Sequence, residues 1–128
     1  MTQEIPIGDR PNHSYTVSKT PCTWTKPFEI AGQKAEGGNG VQVDERDGNT
    51  SRYRGHYLDR MSGGDTVNYS YEGVATFKGQ VPEGATWRWT VAHATGKLRG
   101  LTGRGTCKGS WPEGTYRWSC SGRFRAPK

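Results

Sequence analysis

The sequence predicts an all-β protein of antiparallel strands, and three observations carry that expectation. Leu, Ile, Val and Phe together number only 16 of 128 residues, whereas there are five Trp and six Tyr. Nineteen Gly residues interrupt nearly every window long enough for a helix. Apolar and polar residues alternate with a period of two through most of the chain after residue 50. An aliphatic share this low accompanies disorder in many chains. Here the net charge is a modest +6, and aromatic side chains bury large areas each. The chain therefore reads as one small domain, residues 1–128, with a core of rings. No run approaches the ~20 apolar residues that a membrane-spanning helix needs.

Residues 1–50 read as the less regular part. Pro6, Pro11, Pro21 and Pro27 each lack the N–H that a central strand would use. Short extended pieces are expected at 14–18, 22–30 and 40–45. Gly37-Gly38-Asn39-Gly40 reads as a flexible loop and Asp47-Gly48-Asn49 as a turn.

Residues 51–125 read as a meander of amphipathic strands. Arg52, Arg54, His56 and Leu58 share one face, and Tyr53, Gly55 and Tyr57 the other. After the turn at Ser62-Gly63-Gly64-Asp65, Val67, Tyr69, Tyr71, Gly73, Ala75 and Phe77 share a face. Ala85, Trp87, Trp89, Val91 and His93 do the same, followed by Tyr116, Trp118, Cys120, Gly122 and Phe124. Such alternation means strands with one buried face.

A repeat supports the pairing. Phe77-Lys78-Gly79-Gln80-Val81-Pro82-Glu83-Gly84 matches Cys107-Lys108-Gly109-Ser110-Trp111-Pro112-Glu113-Gly114. Each copy reads as strand, Pro-Glu-Gly turn, strand. A loop centred on residues 113 and 114 sets Cys107 opposite Cys120. Directly opposed Cβ atoms lie about 4.5–5.5 Å apart, so these two cysteines either form a disulfide or remain as two small buried thiols. Cys22 stays free in both cases. No Cys-x-x-Cys pair and only three scattered His are present, which argues against a metal site. No signal peptide is visible in the first twenty residues. A disulfide would favour the periplasm or the exterior, with any signal peptide lying outside this chain.

Charge is uneven. Residues 86–128 hold nine basic residues and one acid, Glu113. Arg88, Arg104, Lys108, Arg117, Arg123 and Arg125 mostly alternate with the aromatic positions. They are therefore expected on the opposite, solvent-facing side, where they coat the sheet and discourage edge pairing. Nucleic-acid binding by base stacking needs rings and charges on one face, so it is disfavoured.

The stretch from Ala94 to Gly109, ATGKLRGLTGRGTCKG, carries the pattern T-G-K-hydrophobic-x-G-hydrophobic-x-G-x-G. Together with Gly64-Asp65-Thr66-Val67 and Tyr71-Glu72-Gly73 it resembles small bacterial β-barrel proteins similar to the allene oxide cyclase barrels. The resemblance covers residues 60–125. It implies a calycin-like, roughly eight-stranded up-and-down barrel with an internal cavity, and it admits a homo-oligomer. No stretch of the cyclases' substrate-site sequence is present, so no catalytic residue carries over. The glycines also have a direct physical reading, as places where strands bend or approach closely.

In such a barrel Tyr53, Tyr57, Tyr69, Trp87, Trp89, Tyr116 and Trp118 would line the lumen and hold a small apolar or aromatic ligand. The same rings could instead simply fill it, since eight strands enclose little more than side chains. His56 or His93 could serve as general base, Tyr71 as acid, Arg54 as a clamp on a carboxylate or enolate, and Glu72 or Asp59 as a carboxylate partner. That set fits a cofactor-free isomerase, cyclase or lyase. Hydrolase and nucleotide-binding motifs are missing. A non-catalytic carrier and a basic nucleic-acid-binding barrel are the competing expectations.

Overall fold

The computed structural model describes residues 1–127. The chain is all-β, with nine strands among the described residues: β1 (Thr2–Pro6), β2 (His13–Thr23), β3 (Glu29–Ile30), β4 (Gln33–Asp47), β5 (Thr50–Met61), β6 (Thr66–Lys78), β7 (Val81–Ala94), β8 (Thr102–Ser110) and β9 (Arg117–Arg125). They form one sheet in the order β1-β2-β4-β5-β6-β7-β8-β9, with β3 paired to the start of β4. Every pairing is antiparallel, so the meander runs up and down as the alternation requires.

The sheet is open. Among the described residues no backbone ladder joins β9 to β1 or β2, so backbone pairing does not supply the closure expected of a barrel. Rings close the interior instead. Trp24, just beyond β2, packs on Trp118 of β9 with centroids 4.5 Å apart, and Phe28 stacks on Phe124 at 6.1 Å. The buried face is thereby curled around an aromatic core while both edge strands keep free backbone groups.

Residues 1–50 are more regular than their prolines imply. Pro6 ends β1, Pro11 lies in the following turn, and Pro27 lies outside any strand. Pro21 sits in β2 beyond the last residue that β1 pairs, Ser18, so its missing N–H costs no bond on that side. The glycines expected to form a loop at 37–40 lie within β4. The ladder shifts between Ala35 and Gly37, a β-bulge. Gly37 takes φ 123°, and a Cβ on Gly38 would collide with the carbonyl oxygen of Leu58. Glycine is therefore required there by close approach of β5, not by flexibility.

The two repeat copies diverge. Pro112-Glu113-Gly114 does make the β8–β9 turn, with Glu113 at φ 52° and Gly114 at 79°. In the first copy, by contrast, Pro82-Glu83-Gly84 lies inside β7, and the turn is at Gly79-Gln80, between Lys78 and Val81. A register shift between Thr76 and Phe77 absorbs the difference. Cys107 and Cys120 are directly opposed in the β8–β9 ladder and are joined by a disulfide, with Cα atoms 4.0 Å apart.

Candidate functional site

The inner face is a continuous field of rings. Tyr53, Tyr57, Tyr69 and Trp89 are buried, and Trp87 and Trp118 are half-buried. Tyr69 meets Trp89 edge-on at 5.5 Å, and Trp89 lies against Phe124 at 5.2 Å. Tyr57 and Tyr69 have centroids 6.3 Å apart. These spacings fall in the range where edge and offset contacts add to simple burial. Trp89 lies flat because Gly105 and Gly122 leave bare backbone beneath it; a Cβ on Gly105 would stand 2.6 Å from the ring, and one on Gly122 would collide with it. Tyr116 departs from the expected lining. It is 46% exposed and leans on Trp111 at 4.8 Å, at the rim by the β8–β9 turn.

Two polar clusters interrupt the rings. In the first, the Tyr71 hydroxyl donates to Gln42 Oε1 at 2.8 Å, Gln42 Nε2 donates to Asp44 Oδ1 at 2.7 Å, and Ser51 donates to Asp44 Oδ2 at 3.2 Å. Burial raises the pKa of Asp44, and the bonds from Gln42 and Ser51 partly oppose it.

The second cluster surrounds Asp59, which is fully buried. Trp24 Nε1 donates to its Oδ2 at 2.9 Å, and the Gly37 N–H freed by the β4 bulge donates to its Oδ1 at 3.1 Å. Burial outweighs both bonds and pushes the carboxyl up to about 6. Nearby, the hydroxyls of Tyr57 and Tyr69 and the indole Nε1 of Trp89 are buried without a hydrogen-bond partner. Burial, and then the charge of Asp59, drive both phenols well above their ordinary pKa, so they remain protonated donors. An unpaired buried donor costs about 1–3 kcal/mol. Three on adjoining rings call for an acceptor.

The residues expected to carry catalysis are not brought together. Only Tyr71 and Asp59 face inward, in separate polar clusters. Arg54, His56 and Glu72 are exposed on the outer face, where Glu72 pairs with Arg88. His93 was expected to share the Trp89 face. The ladder steps from Tyr69–Val91 to Asn68–His93, leaving Ala92 as the extra residue. That bulge turns His93 outward into solvent, where it opposes Asn68. His56 Nδ1 bonds Asn68 Oδ1 at 2.9 Å, so both histidines neighbour one exposed amide instead of a cavity.

Sequence reasoning missed Trp24, Phe28 and His13. The first two lie in the stretch that holds Pro21 and Pro27 and reads as irregular. His13 is buried with Nδ1 2.6 Å from Asp9 Oδ1 and Nε2 2.8 Å from Glu45 Oε2. Glu45 lies on β4, so no local spacing announces this contact. Among the described residues no group of three or more His, Cys, Asp or Glu is placed to hold a metal ion, and no helix is long and apolar enough to cross a membrane.

Comparison with known protein families, with curated proteins and with solved structures finds no match. The likeness to allene oxide cyclase-like barrels thus rests on the quoted motifs alone.

Proposed function

We propose that the protein binds a small aromatic or unsaturated molecule among the inner rings, as a carrier or sensor and not through the histidine chemistry that the sequence admits. The unpaired donors of Tyr57, Tyr69 and Trp89 carry this reading. Flat rings supply apolar contact, and the donors ask for an acceptor oxygen such as a carbonyl or ether. Asp59 beside them disfavours a carboxylate ligand above pH 6, since a second buried anion would be repelled. A cofactor-free isomerase, cyclase or lyase would need a base at the ligand, and His56 and His93 stand on the other side of the sheet. The Cys107–Cys120 disulfide supports a periplasmic or extracellular setting.

The test is a screen of aromatic ketones, aldehydes and ethers read by quenching of Trp fluorescence. Tyr57→Phe, Tyr69→Phe and Trp89→Phe each remove a donor and keep a ring. At least one should weaken a hit by about tenfold, the loss of one hydrogen bond. Hits indifferent to all three substitutions would place binding elsewhere and end the proposal.

A further inference from the structure

The outer face of the sheet is the other unexplained feature. Strands β8 and β9 carry Arg104, Lys108, Arg117, Arg123 and Arg125, all exposed, and neither strand holds an acid. Arg104 and Arg123 are directly opposed in the ladder. Like charges so placed repel and destabilise the pair. On β5–β9 of this face, among the described residues, Arg88 with Glu72 is the one ion pair. The charge of β8 and β9 is therefore left without a partner inside the molecule.

The surface between these residues is hollow. An open depression of about 1130 Å³ is walled by Arg54, Arg88, Arg104 and Arg123. Its floor carries the hydroxyls of Ser70, Thr90, Thr106 and Ser121. A second depression of about 920 Å³ adjoins it through Arg54 and Arg88, and reaches Lys108. Together they make a trough crossing β4 to β9, where guanidinium groups and hydroxyls outnumber two acids, Glu72, which is paired with Arg88, and Glu45 at the β4 end. The aromatic side chains of these strands lie on the opposite face, and Tyr15 of β2 is an isolated ring at the trough's far end, so successive bases would find no row of stacking platforms. A disulfide joins β8 to β9, and disulfides persist in oxidising settings such as the periplasm and the cell exterior.

We propose that this trough binds an acidic polysaccharide, its sulfate or carboxylate groups seated on Arg104 and Arg123, and its sugar hydroxyls bonded by the Ser and Thr floor. Guanidinium forks suit such anions through paired, charge-assisted hydrogen bonds. The site is independent of the interior, so its outcome is separate from that of the carrier reading.

The experiment uses the whole chain on immobilised heparin, on uncharged dextran, and on single-stranded DNA of matched charge. Retention on heparin should fall steeply with salt, exceed that on DNA, and be absent on dextran. The double variant Arg104→Ser/Arg123→Ser should lower the log–log salt slope by about 2, one per lost contact. Lys26→Ser/Lys34→Ser removes the same charge from outside the trough and should leave the slope unchanged. The Arg variant should also melt no lower than the parent, because a repulsive pair has been removed. The proposal fails if heparin is not retained at low salt, if DNA is held as strongly, or if the two double variants behave alike.

Discussion

Trp24 Nε1 donates to the buried Asp59 Oδ2 at 2.9 Å, joining a segment outside the ladder to the C-terminal end of β5. This bond anchors the ring that packs on Trp118, and so ties the N-terminal half of the chain to the last strand.

Asp59 makes stability depend on pH. Its carboxyl titrates near 6 when folded against 3.8 otherwise, so the folded state holds the proton more tightly. Stability is greatest below about pH 4 on this account, falls as pH rises to 6, and is then flat. A shift of this size corresponds to about 3 kcal/mol. Urea unfolding of Asp59→Asn between pH 4 and 6 should show that slope abolished.

His13 acts in a higher window. The carboxylates of Glu45 and Asp9 raise its pKa above 6.5, outweighing burial and the repulsion of Arg10. Its contribution is complete below pH 6.5 and is lost as pH climbs through the raised value. The melting temperature should fall across that interval. His13→Gln should remove the step and melt lower than the parent at pH 6.

Loss of the Cys107–Cys120 bridge releases a short loop, with the cysteines 13 positions apart. Cys107→Ser/Cys120→Ser should lose about 3 kcal/mol in urea titration. Cys22 is unpaired, so Cys22→Ser should leave the parent's shift on reduction intact.

Gly122→Ala places a methyl group against the Trp89 ring and the carbonyl oxygen of Arg104. Overpacking of this kind costs about 1–3 kcal/mol. The variant should unfold at lower urea and show an altered Trp emission maximum. A stability equal to the parent's would mean that Trp89 is free to move.

The strands of the second half were legible because their signal is local. In β5, Tyr53, Tyr57, Asp59 and Met61 are buried while Arg52, Arg54, His56 and Leu58 are exposed, as the period of two requires. The pairing of Cys107 with Cys120 followed from the turn between them. β4 was legible only in part. Residues 40–45 read as extended, but Gly37-Gly38-Asn39-Gly40 read as loop, and the strand runs through them because β2 and β5 pair with it along nearly its whole length. The function of Trp24 was hidden for the same reason, since its partners Asp59 and Trp118 are remote in sequence.

Alternation alone determined that this chain forms antiparallel strands with a ring-lined face and a basic face. Tertiary structure decided where that alternation breaks. The bulges at Glu36 and Ala92 arise from the register of neighbouring strands, and each turns a group to a new side: the Gly37 N–H toward Asp59, and His93 out to solvent. One inserted residue inverts every side chain beyond it. Tertiary structure also decided that the sheet stays open, because Trp24 and Phe28 fill against β9 the gap that backbone pairing would otherwise close.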